Sequence, residues 1–382
     1  MKGFKTALPN VFVIIYKTVF LCSIFLAQSC HKSIDIENEK QKIQALIDLT
    51  EQAHYKKDAE LFFRPNAEQW YDVRKGNVQI VNKANKIKGT QSYLEAMDFD
   101  EMIKRSDPII EISDDGTMAS YIGSITVKGV LGEQPVYWLV SWQNVLKKIN
   151  DQWKIISTAN TEADEITTTL HILDQVKIHL GFVDAAIPSS IYALAHCEGP
   201  EKWFKTLILS QKNDGRMEQL YDQKHIILKH GKNSSWSKDL ITNEVNKNLS
   251  PEVTLFTRAH ELHWLSIAPE TRYKNPRFIG FTQFKNQNAF HIQFKNSIDQ
   301  PVNFYYSFDS FLPLGFDITI NDSGEKVTTL FENWQKQGAF FVFHKASFIQ
   351  AQDTYNYDFV DIKINATSVQ DMNNKNAMIK QL

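Results

Sequence analysis

Short apolar segments, separated by turns at even spacing, dominate the chain from residue 204 to residue 364. Turn residues such as Asn213-Asp214-Gly215 and Gln337-Gly338 lie between them. Short alternating segments bounded by turns in this way predict an antiparallel sheet that curls into a barrel or half-barrel. The predicted strands are Phe204–Leu209, His225–Leu228, Leu262–Ile267, Arg277–Phe281, Ala289–Phe294, Val302–Phe308, Phe316–Ile320, Val327–Trp334, Ala339–Phe343 and Tyr355–Ile364.

The part of the chain before residue 165 follows a different pattern. Ile43, Leu46 and Ile47 recur at helical spacing, which predicts an amphipathic first helix. Apolar residues then alternate over 119–127 and over 136–142, which predicts strands. The predicted fold class is therefore α+β: an N-terminal cone made of a helix and a curved antiparallel sheet, followed by a mostly antiparallel β half-barrel.

The order of helices before strands in residues 39–165 resembles the SnoaL-like, ketosteroid-isomerase-like cone fold. The resemblance is most specific at Lys57-Asp58, after the first helix, and at Asp151-Gln152-Trp153-Lys154-Ile155 in the last hairpin. It implies a sheet that wraps the first helix and leaves a pocket at its open end. Some members of that superfamily are enzymes that use an Asp base inside an apolar cone, and many are not enzymes.

Residues 181–370 resemble a LolA-like envelope-lipoprotein domain of the unclosed-barrel type. The resemblance is carried by Phe304-Tyr305-Tyr306-Ser307-Phe308-Asp309 before Leu312-Pro313-Leu314, and by Trp334 before Gly338-Ala339-Phe340-Phe341-Val342. It implies an open sheet curled around a helix, with a concave face that can accept acyl chains. The stretch 166–180 is interpreted as a linker, 191–195 as a helix that Ser189 or Ser190 caps, and 371–382 as a polar, frayed tail.

Candidate ligand-contacting residues are aromatic in both predicted domains. Asp72 is the candidate catalytic base, because it shares a strand face with Trp70, and a carboxyl group beside an indole can have a raised pKa. The alternative is that Asp72 pairs with Arg74 on a solvated edge. The candidates for the first pocket are Trp70, Tyr121, Trp138 and Trp142, and those for the second are Phe290, Phe294 and Phe304. A packed core is the other explanation for all of these rings.

The N-terminus predicts secretion and lipid attachment. Basic residues, the apolar run 19–27 and the ending Leu26-Ala27-Gln28-Ser29-Cys30 resemble a bacterial lipobox, and the apolar run is too short to span a membrane. Residues 1–29 are therefore interpreted as a lipoprotein signal peptide, Cys30 as the palmitate-carrying anchor, and 30–38 as a tether. The resemblance implies a protein held by lipid at the bacterial cell envelope, at the outer membrane or its periplasmic face.

Other chemistry finds little support in the sequence. The net charge of −2 gives no basic footprint for nucleic acid. His260 and His263 are three residues apart, and the residues around them predict a strand, on which the two side chains would face opposite ways and hold no metal. No cofactor is expected, and Cys197 is interpreted as a small buried hydrophobe.

The expected function is a non-catalytic binding module for a small hydrophobic or lipidic ligand. Two alternatives stay open: a structural or interaction component of an envelope assembly, and a SnoaL-like enzyme of the isomerase or cyclase type. The sequence identifies no protein partner.

Overall fold

The computed structural model describes residues 34–200, 202–232, 234–319, 326–366 and 369–379. The predicted signal peptide and Cys30 lie outside the described residues. The chain divides into two compact units. The first contains the chain up to Gly132 together with Val140–Thr161, and the second contains Glu133–Leu139 and the chain from Glu162 onward.

The first unit combines helices with a seven-stranded sheet in the order β2-β1-β7-β6-β5-β3, in which β4 pairs with β5. The strand β1 runs parallel to β7 and antiparallel to β2. Its helices are α1 (Ile36–Lys56), α2 (Ala59–Phe62) and α3 (Lys83–Ala96). The strands of this sheet are β1 (Asn66–Arg74), β2 (Asn77–Asn82), β3 (Met97–Lys104), β4 (Ile109–Ile112), β5 (Met118–Leu131), β6 (Gln134–Ile149) and β7 (Gln152–Glu162). The start of β6 and the last residue of β7 are assigned to the second unit.

The start of helix α1 is stabilised by an N-cap side chain. The Asp35 side chain accepts a hydrogen bond from the Asn38 N–H at 3.1 Å, which satisfies one of the backbone donors left free at a helix start. The helix ends at Lys57, whose backbone is left-handed. Ile43 and Ile47 on one face of the helix are buried in a core with Ala119, Tyr121, Leu146, Trp153 and Ile155 from the sheet. The predicted first helix is therefore confirmed.

The second unit is built on a 13-stranded sheet in the order β13-β12-β11-β10-β9-β8-β20-β19-β18-β17-β16-β15-β14. Its strands are β8 (Ser190–Glu198), β9 (Trp203–Gln211), β10 (Asp214–Tyr221), β11 (Lys224–Gly231), β12 (Trp236–Asp239), β13 (Val245–Asn246), β14 (Lys274–Phe284), β15 (Gln287–Lys295), β16 (Pro301–Ser307), β17 (Pro313–Thr319), β18 (Lys326–Gln337), β19 (Phe340–Gln350) and β20 (Asp353–Ile364). In this order β13 pairs with β12 and β14 pairs with β15, and these two strands are the edges of the sheet, which is therefore unclosed. The predicted α+β fold class with a half-barrel-like sheet is confirmed.

The helices of the second unit pack against this sheet. They are α4 (Glu165–His179), α5 (Pro251–Ala259), α6 (Leu262–Ile267) and α7 (Val369–Asn373), with single 3-10 turns at Val183–Ala185 and Pro269–Thr271. The described helices include none that is long and apolar enough to cross a membrane.

Two secondary-structure predictions at the start of this unit were wrong. Residues 166–180 are not a linker, because Ile172, Leu173, Val176 and Leu180 bury one face of helix α4 in the core. Residues 191–195 form part of β8 instead of a helix. This strand pairs with β9 on one side and β20 on the other, and such long-range pairing overrides a local helical pattern.

Two further predictions were wrong later in the unit. Leu262–Ile267 is helix α6 rather than a strand, and all of its residues are buried. The tail is polar in composition but is not frayed over its described part, because Met372 and Ile379 are buried against Leu207 and Leu209.

Candidate functional site

The predicted pair Trp70 and Asp72 lies on one face of β1, and both side chains are buried. The Asp72 carboxylate lies 3.3 Å from Lys86 Nζ and 3.4 Å from Arg74 Nε. The predicted contact with Arg74 is present. The solvated edge is not, because β1 lies between β2 and β7 and Asp72 is only 5% exposed. Both oxygens of the Asp72 carboxylate therefore face a cationic side chain.

The remaining aromatic candidates of the first pocket do not form one cage. Trp70 packs against Phe63, with ring centroids 5.5 Å apart. Tyr121 stacks on Trp142 at 6.3 Å within the core under α1, and burial raises the pKa of the Tyr121 hydroxyl. Trp138 is half-buried on β6. The structure thus places Trp70 in one ring contact and the pair Tyr121 and Trp142 in another.

A buried carboxylate that the sequence did not reveal lies under the first helix. Glu39 accepts hydrogen bonds from Lys42 at 2.8 Å and from Trp153 Nε1 at 2.6 Å, and Lys148 Nζ lies 2.9 Å away. The hydrogen bond from Lys42 lowers the pKa of Glu39 most, and with Lys148 and Trp153 it brings the pKa to about 2 against the cost of burial. Because every oxygen is engaged, this cluster ties α1 to the sheet.

The predicted second pocket is filled by its own rings. Phe290, Phe294 and Phe304 are fully buried. Phe294 and Phe304 meet edge to face at 5.3 Å, and Phe290 stacks on Phe311 at 5.1 Å. Such offset and T-shaped contacts are the preferred packing of aromatic side chains. The three phenylalanines therefore lie in the packed core of the second unit.

The two histidines of the His260-Glu261-Leu262-His263 segment are buried and held by backbone carbonyls. His260 Nδ1 lies 2.8 Å from the Phe256 oxygen, and His263 Nε2 lies 2.9 Å from the Phe343 oxygen. Burial lowers the pKa of His260 to about 4 and that of His263 to about 3, so both rings are neutral at pH 7. Over the ranges that the structure describes, no three His, Cys, Asp or Glu side chains are grouped as metal ligands would be.

An open cleft of about 620 Å³ lies in the second unit, between the first turns of α4 and the start of β14. Ile166 is 66% exposed and Leu170 is 49% exposed, and these two side chains are four residues apart on one side of the helix. The cleft is lined by Asp164, Glu165, Ile166, Leu170, Asn275, Pro276 and Arg277. Its surface is mainly apolar, with the charged groups contributing a smaller part.

Local contacts fix the geometry of this cleft. Asp164 caps α4 by accepting a hydrogen bond from the Thr167 N–H at 2.8 Å. The Arg277 guanidinium donates to both oxygens of Glu165, at 2.8 and 3.2 Å, and this contact lowers the pKa of Glu165. The Phe278 N–H donates to Thr169 Oγ1 at 2.8 Å. Helix α4 is thus fastened to β14 beside the cleft.

Sequence reasoning missed the cleft because residues 166–180 were interpreted as a linker. The signal was present, since Asp164 is a good N-cap residue and the apolar residues of 166–180 follow helical spacing. The contact between Glu165 and Arg277 joins residues 112 positions apart, and no local pattern predicts it.

Comparison with known proteins gives fold-level likeness only. No family model matches the chain, and no curated protein matches it. A LolA superfamily protein from Nitrosomonas europaea is 12% identical, covering 54% of this chain and 96% of its own, with a TM-score of 0.38. A DUF1329 family protein from Desulfovibrio piger is 8% identical, covering 55% of this chain and 96% of its own, with a TM-score of 0.41.

Smaller solved structures are also similar to the chain. An NTF2-like protein from Cytophaga hutchinsonii is 19% identical, covering 32% of this chain and 98% of its own, with a TM-score of 0.28. The identities and scores are too low to bear on function.

Proposed function

We propose that the protein is a lipid-anchored module of the bacterial cell envelope that binds a small hydrophobic or lipidic ligand without transforming it. The observation that supports this function best is the apolar cleft between α4 and β14. Its volume of about 620 Å³ lies within the range of ligand sites, which are mostly apolar with a few polar groups.

The side chains of the cleft fit an amphipathic ligand. Ile166 and Leu170 leave apolar surface in water, and covering such surface contributes about 25 cal/mol per Å². Pro276 adds a further apolar wall, while Arg277 and Asn275 lie beside it. An acyl chain on Ile166 and Leu170, with its polar end toward Arg277, would satisfy both parts of this surface.

The state of the candidate base supports binding over catalysis. A general base needs a free lone pair within reach of a substrate proton. Lys86 and Arg74 both lie within 3.4 Å of the Asp72 carboxylate. A substrate proton at Asp72 would have to compete with these two contacts.

The cleft is tested by Leu170→Asp, with Ile178→Asp as the matched control. Ile178 is 46% exposed on the same helix and does not line the cleft. Displacement of a fluorescent fatty acid would measure binding to the full mature chain. We expect binding by the wild type and the control, and at least about tenfold weaker binding by Leu170→Asp. A wild type that binds nothing, or equal binding by both variants, would contradict the proposal.

Lipid anchoring rests on the sequence alone, from the basic start, the apolar run and Cys30. A bacterial lipoprotein cysteine carries more than one chain, and durable anchoring takes more than one. Radiolabelled palmitate should be incorporated into the wild type and not into Cys30→Ala. Equal labelling of the two proteins would remove the anchor from the proposal.

A second candidate function, as an interaction component of an envelope assembly, is favoured by the hairpin of β1 and β2. Tyr71 and Ile80 pair across the two strands, and both are exposed, as is Val78. Adjacent exposed apolar side chains mark protein interaction surfaces more often than isolated ones do. Loss of a cross-linked complex in Ile80→Asp, with fatty-acid binding retained, would favour this candidate.

A further inference from the structure

The described C-terminal residues, 369–379, cover the sheet of the second unit on the face opposite its aromatic core. On β9, Phe204 and Ile208 belong to that core. Leu207 and Leu209, which alternate with them, contact Met372 and Ile379 instead. Because neighbouring residues of a strand point to opposite faces, β9 is buried on both sides, and the C-terminal segment forms the second cover.

The strand register shows which side chains of the sheet face the C-terminal segment; this face is called the floor. Leu207 pairs with Leu194 and with Glu218, and Leu209 pairs with Tyr192 and with Arg216. Directly paired residues share a face of the sheet. The floor under the segment is therefore formed by Tyr192, Leu194, Leu207, Leu209 and Leu220.

A charged pair lies within this floor. Arg216 Nη2 donates to Glu218 Oε2 at 2.8 Å, and neither side chain is exposed to solvent. A buried carboxylate is stable only where donors surround it. His225 Nε2 supplies a second contact at 2.7 Å from Glu218 Oε1.

The C-terminal segment supplies the other donors. The backbone N–H groups of Met378 and Ile379 both donate to Glu218 Oε1 at 3.0 Å. Two successive N–H groups on one carboxylate recognise the main chain of the segment, while the side chain of Ile379 is buried beside them. This arrangement recognises two adjacent main-chain N–H groups and one apolar side chain together.

Further contacts also engage main-chain atoms of the segment. Arg216 Nη2 donates to the Asn376 oxygen at 3.3 Å, and Lys238 Nζ donates to the Lys375 oxygen at 3.2 Å. The Lys375 ammonium lies 5.4 Å from the Trp236 ring centroid. Main-chain recognition with one pocket for a side chain is how peptide-binding domains hold their ligands.

We propose that this face, the tail groove formed by β8 to β12, is a peptide-recognition site whose occupant is the chain's own C-terminal segment. The segment binds there as a separate peptide would, and its presence closes the groove to other peptides. The peptide that the groove fits has a buried apolar residue at the position of Ile379 and free N–H groups at that residue and the one before it. This inference does not depend on the function of the cleft.

The test uses the full chain with the substitution Ile379→Asp, which places a second carboxylate beside Glu218 and releases the segment. Ala377→Asp is the matched control, because the Ala377 side chain is exposed. The probe is a fluorescent synthetic peptide of residues 369–382, followed by anisotropy. We expect Ile379→Asp to bind the probe, and the wild type and Ala377→Asp to bind it at least about tenfold more weakly, because their own segment competes.

Two N-methylated peptides test the recognition of the backbone. Methylation at Met378 and Ile379 removes both donors to Glu218 and should weaken binding to Ile379→Asp at least about tenfold. Methylation at Ala377 should leave binding unchanged. Failure of Ile379→Asp to bind the unmodified peptide, or equal binding of both methylated peptides, would overturn the proposal.

Amide hydrogen exchange of the wild type gives an independent result that needs no substitution. The amides of Met378 and Ile379 should exchange at least about tenfold more slowly than that of Ala377. Equal rates at the three positions would show that the segment does not occupy the groove.

Discussion

Replacing Arg272 with methionine would leave a carboxylate buried without its main counter-charge. Glu261 is 1% exposed. Arg272 donates to both of its oxygens, at 2.8 and 2.7 Å, and His230 Nε2 lies 2.6 Å away. Burial acts to raise the pKa of Glu261, but the charges of Arg272 and His230 outweigh it and hold the pKa at about 2.

The size of the effect follows from these contacts. Removing one partner of a buried ion pair costs about 3–5 kcal/mol, because the other charge stays buried. Arg272 also donates to the carbonyl oxygens of Gln211 and Lys212, both at 2.6 Å, and of Asp214 at 3.2 Å. The β9–β10 turn therefore loses three hydrogen bonds as well. We therefore expect Arg272→Met to lower the free energy of unfolding at pH 7 by about 3–5 kcal/mol.

The loss of stability caused by Arg272→Met should be larger at neutral pH than at acidic pH. In the wild type the pKa of Glu261 is about 2, below its ordinary value of 4.5. The ionised carboxylate therefore stabilises the fold above pH 4.5, and this stabilisation is lost as the pH falls toward 2. Without Arg272, burial raises the pKa of Glu261 and the ionised form destabilises the fold at neutral pH. The difference between variant and wild type should therefore shrink as the pH falls from about 7 to about 4.

Urea denaturation followed by circular dichroism would measure these differences, and hydrogen exchange in β10 and β11 would locate them. The matched control is Arg272→Met combined with Glu261→Gln, which removes both charges and should recover part of the lost stability. A loss below about 1 kcal/mol for the single variant, or a loss that is the same at both pH values, would refute this account of the buried pair.

Three further outcomes are expected. Glu39→Gln should lower the free energy of unfolding by about 1–3 kcal/mol at pH 7. Since the pKa of Glu39 is about 2 instead of 4.5, denaturation curves should show that this loss diminishes as the pH falls below 4.5. A loss that stays constant with pH would contradict the role of the Glu39 charge. Burial raises the pKa of the Cys197 thiol to about 12. Ellman's reagent should therefore modify Cys197 in the native protein at least about 100-fold more slowly than in urea-unfolded protein. Similar rates in the two states would disprove the burial of Cys197. Asp72→Asn should destabilise the chain by about 1–2 kcal/mol in urea, because Lys86 loses its carboxylate partner; unchanged stability would argue against that ion pair.

Much of the fold could be predicted because its strongest signals are local. The strand over 289–294 has Phe290, Ile292 and Phe294 on one face, and all three are fully buried in β15. The first helix has Ile43 and Ile47 at helical spacing, and both lie in the core. In each case the period of the apolar residues matches the structure that buries them.

The errors arose where distant partners decide the local structure. Ile191 and Leu194 fit a helix as well as a strand, and only pairing with β9 and β20 selects the strand. The polar C-terminus suggested a frayed end, since no sequence pattern shows that Glu218 accepts hydrogen bonds from residues 160 positions away. The cleft was hidden for the same reason, because it joins α4 to β14.

The way α4 lies against β14 has a consequence for solubility. β14 ends the 13-stranded sheet, and the backbone groups on the outer side of such a strand can pair with another molecule and start aggregation. Here Thr169 engages the Phe278 N–H, and Pro276 has no N–H to offer. Substitutions that loosen α4 would therefore free a template for edge-to-edge association, so the helix that shapes the cleft also keeps copies of this chain apart.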